Sequence, residues 1–83
     1  MTDRRLKIFC TAAECRSFSA AAELIGISQP AVSKSIASIE QELGCALFLR
    51  VGKDTILTPK GEELLIIAKE ILDAYVKIDA LKF

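Results

Sequence analysis

The stretch "GISQPAVSKSI", residues 26–36, sets four hydroxyl or amide side chains and one lysine around a proline, with branched aliphatics spaced between them. Each punctuating residue carries a local instruction. Gly26 ends a helix at little cost, because glycine enters left-handed backbone without a Cβ penalty. Ser28 can cap the helix that follows through its side-chain oxygen, and Pro30 falls in the first turn, where its missing N–H would have no intrahelical partner. Two helices joined by so short a connection cannot lie flat together and must cross steeply.

The second of these helices, residues 28–43, separates a dry side from a wet one. With Val32 at zero and about 100° per residue, Ile36, Ile39 and Leu43 fall within about 40° of it, a narrow stripe predicted to face a core. Pro30, Ser33, Lys34, Ala37 and Gln41 gather on the opposite side, with Gln29 at the N-terminal end. A merely solvated face would favour long glutamates and lysines over serine and alanine. Small side chains permit close approach to a partner, and glutamine, serine and lysine suit base edges and phosphates in a major groove.

Outward from this helix the chain stays mostly helical. Leu6, Phe9, Cys10 and Ala13 recur at i, i+3, i+4 and i+7, predicting a first helix from about Asp3, a candidate N-cap, to about Glu14. Ser19 is the candidate N-cap of a second helix that runs through "AAAEL" to Gly26. Together with residues 28–43 it makes a helix-turn-helix. Beyond Gly44, Leu47 to Val51 and Thr55 to Leu57 bracket the turn-forming "GKD" and predict a two-stranded hairpin, with Lys53 at its tip and Arg50 at its foot. A basic hairpin after such a helix is a wing that can follow a sugar-phosphate backbone. Thr58 and Pro59 start a fourth helix reaching to about Leu81. Its apolar belt is wider than one small head can cover, so Leu64, Ile67, Ala68, Ile71, Leu72, Tyr75 and Ile78 are assigned to pairing with a second chain.

Composition narrows the function classes. At 83 residues the chain is one domain, near the lower size at which a core sustains folding alone. No apolar run approaches bilayer length and no leader pattern precedes the first helix, so a cytoplasmic address and no membrane partner are expected. There is no histidine, and Cys10, Cys15 and Cys45 form no C-x-x-C pair, which argues against a metal site, a disulfide or a base-activated nucleophile. No catalytic residue, metal or cofactor is assigned and no enzyme is expected. Glu40 and Glu42, two apart on a helix, face different ways and read as a solvated face. Eleven basic and eleven acidic residues cancel, but residues 1–61 hold eight basic against six acidic groups and residues 62–83 three against five. An anionic partner should therefore meet the first two-thirds of the chain.

"SFSAAAELIGISQPAVSKSIASIEQELGCALFLR", followed by "LTPKGEELL", resembles the N-terminal winged helix-turn-helix of LysR-type transcriptional regulators across almost the whole chain. The resemblance implies a bacterial DNA-binding head over residues 1–58 and a linker and dimerisation helix over 59–83. The family's C-terminal effector-binding domain is absent from this sequence and its small-molecule effector unknown. Matching positions imply that Gln29, Pro30, Ser33 and Lys34 read bases, while Ser28, Ser38, Arg50 and Lys53 meet the backbone. The implied partners are double-stranded DNA, a second copy of the chain through residues 59–83, and RNA polymerase for the longer protein. Lys34 stands where relatives more often carry arginine, and lysine lacks the planar fork that matches guanine. Two other readings share the fold: a head of the molybdate-responsive regulator type, and a winged-helix dimerisation or protein-interaction module without DNA contacts.

Overall fold

The computed structural model describes residues 3–82 of the chain. Helix α1 spans Asp3–Cys15, α2 Phe18–Ile25 and α3 Gln29–Leu43, followed by strands β1 Phe48–Val51 and β2 Asp54–Leu57 and helix α4 Pro59–Asp79. This is the mainly helical, winged helix-turn-helix architecture expected, with corrections at the start of α2, the end of α3 and the bounds of the hairpin.

The expectation that Asp3 caps α1 falls on a side chain outside the described residues. Helix α2 is capped by Ser17 rather than Ser19: Ser17 is extended (φ −160°, ψ 126°) and its Oγ accepts from Ala20 N at 3.1 Å. Ser19 is already inside the helix, where it cannot cap. Gly26 (φ +85°) closes α2 and donates its N–H to Ala22 O at 2.8 Å. Ser28 caps α3 by accepting from Ala31 N at 3.3 Å.

The core is built around α1. Leu6, Ile8, Phe9, Cys10 and Ala12 are buried, a wider set than the single stripe read from periodicity, because α1 packs against α2, α3 and α4 at once. Val32, Ile36 and Ile39 are buried as expected, but Leu43, assigned to the same stripe, is half exposed. Gly44 (φ +73°) ends α3 one residue later, so Leu43 lies past the edge of the core beside Cys45, Leu64 and Ile67. Burial, and next the charge of Glu14, pushes the Cys10 thiol above its usual range, with Lys69 opposing. At neutral pH it is therefore a protonated core side chain.

The hairpin is antiparallel, pairing Phe48 with Leu57, Leu49 with Ile56, Arg50 with Thr55 and Val51 with Asp54. Its loop is only Gly52 and Lys53. Gly52 (φ +62°) occupies the position where a tight II′ turn calls for glycine, which draws Asp54 into the strand. Leu47 is a fully buried core residue and not part of the strand. Phe48 anchors the wing to the head, its ring 5.5 Å from Phe9 and 5.2 Å, edge-on, from Phe18.

Thr58 joins the wing to α4. Its N–H donates to Leu47 O at 2.9 Å, its hydroxyl donates to Ala46 O at 2.7 Å, and the same oxygen accepts from Gly61 N at 3.0 Å. Around α4, with Ala68 at zero, Gly61, Leu64, Leu65 and Leu72 fall within about 60° and cover the head. Ala68 is fully buried in that contact and so leaves the set assigned to a second chain, while Leu64 and Leu72 are half-buried there. Ile71, Ile78 and Ile67 lie about 60°, 80° and 100° to one side and remain exposed. Tyr75 points along the head-facing direction yet is 48% exposed, because the head ends beneath it. Among the described residues no helix is long and apolar enough to cross a membrane.

Candidate nucleic-acid interface

The residues expected to read bases stand together on the N-terminal half of α3. Pro30 and Lys34 are exposed, and Ala37 and Gln41 continue the same open face. Gln29 Nε2 donates to Ser33 Oγ at 2.9 Å, one helical turn away. The bond holds both side chains in place while leaving the Gln29 carbonyl oxygen and the Ser33 hydroxyl proton to address an outside partner. Among the described residues Lys34 has no ion pair, so its ammonium projects freely.

The residues assigned to a phosphate backbone are less uniform. Ser28 commits an oxygen lone pair to the α3 cap but keeps its own proton to donate. Ser38 accepts from Arg5 Nη1 at 2.8 Å, and Arg5 Nη2 lies 3.2 Å from Glu42 Oε2. Arg5 thus ties the start of α1 to the second half of α3, and Ser38 is part of that tie. Arg50 is exposed on β1 and borders a cleft shared with Ser33, Ala37 and Glu40 of α3, which puts the wing against the helix. Lys53 is exposed at the hairpin tip.

Two carboxylates read as solvated have structural work. Glu40 Oε2 accepts from Leu47 N at 2.7 Å, holding the segment between α3 and β1, and Glu42 pairs with Arg5. Sequence reasoning also missed Arg5 and Arg16. The partners of Arg5 lie 33 and 37 residues away, beyond any local signal. Arg16 carries the only left-handed non-glycine backbone among the described residues (φ +53°). Its carbonyl accepts from Thr55 N at 3.2 Å, and its Nη2 lies 3.7 Å from Asp54 Oδ2. The left-handed conformation costs a Cβ-bearing residue about 1–2 kcal/mol. An ion pair this exposed contributes about 0–1 kcal/mol. Stability alone therefore favours glycine at this position.

Three helices with a short α2–α3 connection, a basic two-stranded wing and an open face on α3 define a winged helix-turn-helix domain. The chain belongs to the lysR family of bacterial regulatory helix-turn-helix proteins, which it matches over residues 4–62. That match decides against the molybdate-responsive type. The chain is similar to YfeR, an HTH-type transcriptional regulator of Shigella flexneri, with 40% identity over 70 residues, covering 84% of this chain and 23% of that protein. To the RuBisCO operon transcriptional regulator of Allochromatium vinosum it is 43% identical over 61 residues, 74% of this chain and 20% of that one. It thus spans a quarter or less of the length of these relatives. Among solved structures, the BenM DNA-binding domain on catB site 1 DNA superposes with a TM-score of 0.93 at 31% identity, covering 98% of this chain and 90% of that one. The CbnR DNA-binding domain in its DNA complex gives 0.90 at 31% identity, covering 96% and 92%.

Proposed function

We propose that this chain binds double-stranded DNA in a sequence-specific manner to regulate transcription, with α3 in the major groove and the β1–β2 wing on the backbone. It is read as a non-enzymatic, cytoplasmic DNA-binding head. The observation that carries the reading is the division of α3: Val32, Ile36 and Ile39 are buried, while Pro30, Lys34, Ala37 and Gln41 form an exposed face of small or hydrogen-bonding side chains. Such a face fits a groove. The family relatives named as transcriptional regulators and the neighbours solved on DNA support the same reading. Selection from a random duplex library tests it: a recurring motif is expected, and a pool that stays random after several rounds would remove sequence-specific binding.

The chain acts, in this proposal, as a homodimer through the exposed side of α4, so its site is an interrupted inverted repeat. In a longer protein the effector-binding domain would follow α4, and any contact with RNA polymerase belongs to that protein.

Discrimination should reside in α3 and not in the wing. Lys34→Ala is expected to cost about 1–3 kcal/mol on the selected site and much less on random duplex, and Gln29→Ala to behave alike, because base contacts specify and phosphate contacts position. Equal losses on both duplexes, measured by fluorescence anisotropy, would place these residues on the backbone instead.

Lys53→Ala and Arg50→Ala should weaken binding to all sequences alike, each flattening the salt slope by about one unit per phosphate that its side chain neutralises. For Arg50 the alternative outcome is a lower melting temperature with an unchanged slope, which would make it a strut between wing and α3.

A further inference from the structure

Arg16 takes no part in the contacts assigned above, yet it occupies a backbone conformation that disfavours it and reaches toward the wing. Its carbonyl holds Thr55, a buried residue of β2, and its guanidinium lies 3.7 Å from the Asp54 carboxylate. Asp54 follows Lys53 directly and closes the hairpin opposite Val51. A bare carboxylate on the residue next to Lys53 would oppose the attraction of Lys53 for phosphate, since salt screens charges only over a Debye length of about 8 Å at physiological ionic strength. Both side chains are more than half exposed, 61% for Arg16 and 64% for Asp54, so their pairing does little for stability. At a surface facing a polyanion the same pairing changes the sign of the local field.

We propose that Arg16 is a positioning residue of the DNA interface: it neutralises Asp54 at the wing tip, leaving Lys53 as the uncancelled charge that meets phosphate. The inference rests on the DNA-binding reading and adds a residue to it. Arg16 acts through Asp54 and Lys53, while its backbone carbonyl, which any residue could supply, sets the position of β2.

The test separates side chain from backbone. Arg16→Gly suits the left-handed conformation and keeps the carbonyl that Thr55 requires. This variant should melt at or above the wild-type temperature and retain slow exchange of the Thr55 amide by NMR. It should also bind selected and random duplexes about fivefold more weakly. Adding Asp54→Asn should restore affinity to within about twofold of wild type, the non-additivity expected of a coupled pair. Adding Asp73→Asn instead, which removes an equal charge on the far side of α4, should restore nothing. Wild-type affinity in Arg16→Gly overturns the inference, as does equal rescue by Asp73→Asn, which would reduce the effect to net charge. A fall in melting temperature with loss of Thr55 protection overturns it too, making Arg16 a fold residue. The wild-type titration run alongside reports on the underlying reading separately: no binding to any duplex removes that reading and this inference with it.

Discussion

Gly61→Ala is expected to lower the melting temperature of this domain by about 4–16 °C, a net loss of about 1–2 kcal/mol at about 4–8 °C for each kcal/mol in a domain of this size. A Cβ built at Gly61 meets the carbonyl oxygen of Leu47 inside any acceptable contact distance and comes within 2.9 Å of Leu57 Cδ2. The leucine methyl could swing aside. The carbonyl cannot, because it also accepts the Thr58 N–H and belongs to a buried residue held on its other side by Glu40. Alanine gains about 1 kcal/mol over glycine in intrinsic helix preference. Forcing a methyl group into fixed backbone costs about 1–3 kcal/mol or more, and the clash should outweigh the gain. Gly61 has ordinary helical backbone, so no change in conformational strain complicates the reading. Thermal unfolding followed by circular dichroism is sufficient, and a melting temperature equal to or above that of the wild type would show that α4 can lift off Leu47 without penalty.

Ile71→Asp should abolish the proposed dimer and at least about a hundredfold of operator affinity, the usual order of the gain when two weak heads are linked. Ile71 is 39% exposed, at the border between the head-facing side of α4 and the open row formed with Ile67 and Ile78. It lies near the middle of the 21-residue helix, so in an antiparallel pair it meets the central part of the partner helix. A carboxylate there would be taken out of water without a hydrogen-bond partner, at a cost of several kcal/mol per chain. The core side chains Phe9, Val32, Ile39 and Leu47 are fully buried elsewhere, so the head should stay folded. Sedimentation velocity decides the matter. A wild-type chain that runs as a monomer at roughly 50 μM, where a dimer of micromolar Kd would be largely assembled, and binds its operator no better than Ile71→Asp, would exclude the dimer.

What the sequence made legible was whatever its local chemistry determines. Gly26, Ser28 and the Thr58-Pro59 pair mark helix ends through bonds to residues three or four positions away, and each sits where those signals put it. The core side of α3 was equally readable, because helical periodicity brings Val32, Ile36 and Ile39 to one side. Misreadings came where a distant element decides the outcome. Leu43 fits the stripe and is exposed because the core ends before it, whereas Ala68 looked available and is covered by the head. Ser17 and Ser19 are equally good capping residues, and only the extended backbone at Ser17 separates them. At the candidate interface the exposed residues of α3 and the hairpin tip were readable from type and spacing. The ties of Arg5 to Ser38, Glu40 to Leu47 and Arg16 to the wing were not, since each joins residues farther apart in the chain than one helical turn.

The three hydrogen bonds at Thr58 have a mechanical consequence. They fasten the first turn of α4 to the segment that enters β1, and Glu40 fastens that segment in turn to the last part of α3. These bonds brace the helix that would set the two-fold axis against the helix that would enter the groove. In a dimer built this way each head is a fixed jaw of a caliper, with a gap determined by α4 and not adjustable by the DNA. One extra base pair between half-sites rotates the second by about 34° and moves it about 3.4 Å, a mismatch that rigid jaws must meet by bending the duplex.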